Sequence, residues 1–244
     1  KPIRWGADDE KPTRIKQLVD WELVLATDHV HSSLRDLNGE RWSVALPALL
    51  DDFQQLLRDA LGLLHELGEA DDNSDGSHWD LPSISPHWQN RGYRDWVTLI
   101  ELVRDAWLAT RENDPERASR MASDWFDSPY STFKRLALFA ASQDGCIASD
   151  QWVEWLLTNN AWWLWSVDTQ RETMRLLVLQ SANLSLEAKT KLEAAILAGP
   201  PRNMFREDLD PERWQSLVDD SVWLHLAKLR EGGGRLGEAA LQRI

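Results

Sequence analysis

Apolar residues recur along this chain at intervals of three and four, and no segment alternates apolar with polar at every second position. The first spacing stacks side chains on one face of an α-helix; alternation would line one face of a β-strand. From Thr13, the residues Ile15, Leu18, Val19, Leu23 and Ala26 keep helical spacing until the Asn38-Gly39 turn signal. The next stripe, Leu50, Phe53, Leu57, Ala60, Leu64 and Leu67, is the most regular. Pro47 is expected in its first turn, where a missing N–H costs little, and Gly68 at its stop. A third helix is expected from about Tyr93 to Asn113, with Trp96, Leu99, Ile100, Val103 and Trp107 on one face.

Further on, the helix openings are explicit. Asp114-Pro115-Glu116-Arg117 supplies a capping Asp, a Pro at the first helical position and a Glu in the first turn, and Asp210-Pro211-Glu212-Arg213 repeats it. Ser128-Pro129 is expected to open a helix that is apolar almost all round (Phe133, Leu136, Ala137, Leu138, Phe139, Ala140), hence central and buried. Ser149, Asp168 and Ser185 are read as the caps of three later helices, and Asn159-Asn160 as a tight corner before Trp162. Gly199-Pro200-Pro201 reads as a stop, and Gly232-Gly233-Gly234 as a flexible hinge.

Glu69 to Asp80, EADDNSDGSHWD, interrupts this regularity; it is acidic, rich in Asp, Ser and Gly, and reads as a surface loop with nothing to bury. It suggests a helical pair over 1–68, an acidic and proline-bearing linker over 69–86, and a helical-repeat region over 87–244. The fold class that follows is all-α, an irregular α-solenoid of about nine or ten short antiparallel helices. No clean repeat length is present, and a compact all-α domain would read the same way.

Composition narrows the function classes. The formal charge is −13, from 40 acidic and 27 basic side chains, which argues against a dedicated nucleic-acid binder. No apolar run approaches a membrane span, and the single cysteine, Cys146, excludes an internal disulfide framework and fits a cytoplasmic location. The chain opens on Lys1 and closes on a helix-like RLGEAALQRI, so it reads as a piece of a longer protein.

Catalytic signatures are absent: there is no phosphate loop, dinucleotide fingerprint, HExxH or GxSxG, and no cofactor is expected. His29 and His31 point apart on a helix by roughly 200° and do not chelate there. Asp71, Asp72 and Asp75 lack the ligand spacing of a calcium loop, so no metal site is expected. Cys146 has no adjacent basic partner and reads as an inert thiol. Arg58 and His65 lie seven apart, on one side of the second helix. An arginine, a polar residue and a following histidine resemble the RNA-cleaving motif of the HEPN helical nucleases, although a solvated arginine and histidine are the plainer reading.

Five of the fifteen tryptophans fall within Gln151–Gln180, so this stretch is expected to be a packing centre. Trp96, Trp107, Trp152, Trp155 and Trp214 read as core. Trp162, Trp163 and Trp165 cannot all face inward from one turn, because neighbours diverge by about 100°. At least one of these indoles is expected to meet solvent, a neighbouring repeat or a protein partner.

The phrases HWQNRGYRDWVTLIELVRDAW, SPYSTFKRLALFAASQDG and AWWLWSVDTQRETMRLLVLQ resemble the helical C-terminal regions of bacterial STAND-type NTPases, the antiviral ATPases of the AVAST kind and their relatives. The likeness spans roughly Leu81 to Arg230 and rests on phrasing, without catalytic motifs. It implies a non-catalytic sensor region of a longer chain. In that family the helical repeats bind a phage structural protein and so permit oligomerisation of the whole protein. A structural or self-associating helical spacer is the alternative.

Overall fold

The computed structural model describes residues 40–90 and 96–244. The helix expected from Thr13, together with His29 and His31, lies outside the described residues. The fold is all-α, an array of helices with no strand among the described residues. The helices are α1 (Glu40–Glu66), α2 (Ser77–Asp80), α3 (Val97–Asn113), α4 (Pro115–Asp127), α5 (Ser131–Ala141), α6 (Ser149–Trp165), α7 (Gln170–Gln180), α8 (Leu186–Ala198), α9 (Pro211–Glu231) and α10 (Glu238–Leu241). Short 3₁₀ turns at Ser181–Asn183 and Arg202–Met204 punctuate the later connections.

Apolar stripes decide which helices meet. Leu50, Leu57, Leu61 and Leu64 of α1 are buried, and α1 makes the most extensive helix pair among the described residues with α3, which buries Ile100, Val103 and Trp107. From there the packing passes through α4 and α5 to α7, and α6, α7, α8 and α9 pack on one another. One buried apolar cluster runs from Leu46 on α1 to Ala240 on α10. Helix α5 is the centre, as its all-round apolar pattern predicts: every residue from Ser131 to Ala141 is buried except Lys134.

Several expected boundaries hold. Asp114 accepts from the Arg117 amide at 2.9 Å, Asp210 from those of Glu212 and Arg213, and Ser185 from that of Ala188. Gly68 closes α1 at φ 78°, with its N–H bonded to the His65 carbonyl. Asn159 and Asn160 sit at φ 51° and 60° and break α6 in the middle. Asparagine tolerates this left-handed region; Ala161, which shares it, does so at a cost of about 1–2 kcal/mol.

Others are corrected. Pro47 lies inside α1, which already runs from Glu40. Ser128 closes α4, its hydroxyl bonded back to the Asp124 carbonyl, and does not cap α5. Ser149 follows the N-cap position of α6, where Ala148 sits, and Asp168 makes no bond to an α7 amide. Gly232-Gly233-Gly234 is packed rather than free: a Cβ on Gly232 would lie 2.5 Å from the carbonyl oxygens of Leu177 and Val178. The segment Glu69–Asp80 does bury residues, among them Asp75 and Ser77, and Leu81 and Ile84 just beyond it belong to the central apolar cluster.

Candidate functional site

Asp75, the last acid of that segment's acidic cluster, works as a tertiary cap. Its Oδ2 accepts from the Thr132 amide at 2.7 Å in the first turn of α5, and its Oδ1 from the Ser77 amide at 3.0 Å. The open N-terminus of α5 is thus served by a residue 57 positions upstream. Ser77 continues the junction, accepting from the Thr132 hydroxyl at 2.7 Å and from Arg135 Nη1 at 3.0 Å.

Arg135 and Glu172 lie beneath, 0% and 2% exposed, with Nε and Oε2 3.1 Å apart. Burial of this pair is offset by further bonds: Arg135 Nη2 donates to the Leu81 carbonyl at 2.6 Å, and Glu172 Oε1 accepts from the Ile84 amide at 2.8 Å. The opposite face of Ile84 is held as well, its carbonyl accepting from Arg104 of α3 at 2.9 Å. Asp168 finishes the arrangement, accepting from Ser74, His78 and Ser131 at 2.9–3.1 Å. Burial alone would raise this carboxyl, but the bonds and the nearby His78 outweigh it and hold it below the usual carboxylate value. Residues 74–85 are therefore keyed onto α3, α5 and α7.

Fixing this segment creates a groove. Trp79 stands on its rim, 76% exposed, with its ring 4.7 Å from that of His78. Between Trp79, α7 and α9 lies an open cavity of about 780 Å³, with Val167, Met174, Leu179 and Leu224 as apolar lining and Arg171, Arg175 and Lys228 as cations. Arg171 is oriented by His87 Nε2 at 2.6 Å and Gln89 Oε1 at 3.2 Å, and Lys228 is taken by Glu231 at 2.6 Å. Trp79 carried no sequence signal beyond its place in a polar segment, and the groove is assembled from three separated stretches.

The tryptophan run divides. Trp163 is buried at 3%, its ring beneath the Lys134 ammonium at 5.5 Å. Lys134 also covers the Phe126 ring and donates to the Phe126 and Ser128 carbonyls, closing the end of α4. Trp162 and Trp165 are half-buried; Trp165 packs on His225 of α9 at 4.3 Å. Their two Nε1 atoms are buried without an acceptor among the described residues. Of the other core candidates, Trp96, Trp107, Trp152 and Trp155 are buried and Trp214 is half-buried.

Arg58 and His65 each rest on a ring near the start of α5. The Arg58 guanidinium lies 4.7 Å above the Phe133 ring, while His65 meets Tyr130 edge-on at 6.1 Å. Burial pushes the Cys146 thiol up to about 11, which removes the thiolate a nucleophile needs. No group of three or more His, Cys, Asp or Glu among the described residues could hold a metal ion. No helix among them is long and apolar enough to cross a membrane.

An all-α array that carries an open, cation-rimmed groove is the class that fold and site define. Among curated proteins, the chain is similar to a protein of Sinorhizobium fredii printed as "Uncharacterized protein y4cA". The two are 27% identical over 168 residues, which cover 68% of this chain and 14% of that protein. No family model and no solved structure matches the chain.

Proposed function

We propose that this chain is a non-catalytic helical recognition module of a longer cytoplasmic protein, an antiphage NTPase of the STAND type, and that it docks a phage structural protein. The observation that carries the docking role is the groove, where Trp79, Val167 and Leu179 are exposed beside the guanidinium groups of Arg171 and Arg175. Tryptophan and arginine are the side chains that dominate the energetics of protein interfaces. Placement within a longer protein is supported by the relative, in which the similar segment makes up 14% of the length. Trp162 and Trp165 are half-buried, and Trp165, packed on His225 of α9, lies two residues before Val167 of the groove. The resemblance of phrasing supplies the antiphage assignment.

The test is deletion of this region from the full-length parent, with nucleotide hydrolysis and protection against phage measured side by side. The reading expects protection to be lost while basal hydrolysis persists. Undiminished protection refutes it.

A further inference from the structure

We propose that the groove between Trp79, α7 and α9 docks an acidic amphipathic segment of the partner protein, with carboxylates on Arg171 and Arg175 and apolar side chains against Trp79 and Leu179. This rests on the recognition-module reading above and specifies the chemistry of its partner.

The charges lining the groove separate into those already matched and those left over. Asp168 is 5% exposed and its oxygens are engaged by Ser74, His78, Ser131 and Ser166, so it offers little to a visitor. Glu231 is held by Lys228. Arg171 is gripped by two neutral acceptors, which fix its direction without neutralising it. Arg175, exposed, has no carboxylate partner among the described residues. These two arginines stand at i and i+4 on α7, so they share a face and repel each other mildly. An incoming carboxylate relieves that repulsion and can be gripped through two parallel N–H bonds.

Overall charge does not oppose this. The chain is formally −13, but beyond a Debye length of about 8 Å that field is screened and the two guanidinium groups dominate locally. The apolar walls select a peptide over a polynucleotide, since nucleic-acid affinity is built from many phosphate contacts and only two unmatched cations line the groove among the described residues. Trp79 and Leu179 are large apolar side chains left in water beside these cations, as a docked apolar residue requires.

The experiment selects ligands for the purified chain from a displayed library of random dodecapeptides and measures the enriched peptides by fluorescence anisotropy. Enriched sequences are expected to combine Asp or Glu with Leu, Phe or Trp, and to weaken as salt rises. Trp79→Ser and Arg175→Glu should each weaken them by about tenfold or more. Both positions are exposed, so circular dichroism should show the fold intact. A Lys-for-Glu version of the best peptide should regain binding to Arg175→Glu. Neutral or basic winners, or acidic winners indifferent to both substitutions, overturn the proposal. Winners lost only on Trp165→Phe overturn the groove but leave the recognition module standing, and a library without binders overturns both. Self-association abolished by Trp79→Ser, or a single-stranded RNA that competes at the groove, also overturns it.

Discussion

Glu172→Ala removes the carboxylate on which the central junction closes. Glu172 Oε2 accepts from Arg135 Nε at 3.1 Å, and Oε1 accepts from Arg135 Nη2 at 3.3 Å and from the Ile84 amide at 2.8 Å. Without it, a guanidinium that is 0% exposed keeps its charge and loses its counter-ion. Breaking a buried pair from one side costs about 3–5 kcal/mol, of a total stability of about 5–15 kcal/mol for a domain. At a slope of about 3 kcal/mol per molar urea, the unfolding midpoint should fall by about 1–1.7 M. Tryptophan fluorescence reads it directly, since fifteen indoles report. Removing both charges, as Arg135→Met with Glu172→Leu, should cost less than the two single changes summed, because no ion is then left buried alone. A midpoint shift below about 0.3 M for Glu172→Ala at unchanged slope would show that the pair holds nothing together.

Other consequences follow from single contacts. Asp75→Ala strips two amides of their acceptor and should cost about 2–4 kcal/mol, measured by the same urea titration. Gly62→Ala should stabilise α1 by about 0.5–1 kcal/mol, since nothing lies within 4 Å of a new Cβ, whereas Gly232→Ala should destabilise by about 1–3 kcal/mol through overlap with the Leu177 and Val178 carbonyls; thermal melts separate the two. Burial lowers His225 from 6.5 despite its bonds to the Ser221 and Leu164 carbonyls. The unfolded chain then takes up that proton first, so stability should fall as pH drops below 6.5, and His225→Gln should flatten this slope in melts at graded pH. The lowered Asp168 carboxyl adds a second loss below 3.8, as its folded-state bonds are protonated away.

The array was legible where the signal is local. The α1 stripe, the buried face of α3, the caps at Asp114, Ser185 and Asp210 and the break at Asn159 each depend on residues within a turn or two of one another. The same rules misassigned Ser128, Ser149 and Asp168, polar residues set before a helix that find their partners elsewhere. For α5 the first-turn Thr132 amide is taken by Asp75 from across the fold, which no local window contains. The Arg135–Glu172 pair is hidden for a similar reason: an arginine inside an apolar run looks like an interruption until a carboxylate 37 positions away meets it. Low hydrophobicity in Glu69–Asp80 was equally misleading, because that segment is held mainly by polar bonds, with Ala70 alone of it in the apolar cluster among the described residues. The tryptophan cluster was correctly placed as a packing centre, yet the most exposed indole among the described residues, Trp79, lies outside it.

Everything proposed for the groove depends on residues 74–85 being fixed onto α5 and α7, and hydrogen exchange followed amide by amide tests that most directly. The Ser77, Ile84 and Thr132 amides, bonded to Asp75 and Glu172, should exchange as slowly as the interior of α5. Exchange of these three at the rate of an unstructured peptide, with α5 still protected, would mean that the segment is the free linker its composition suggests and that the groove has no wall.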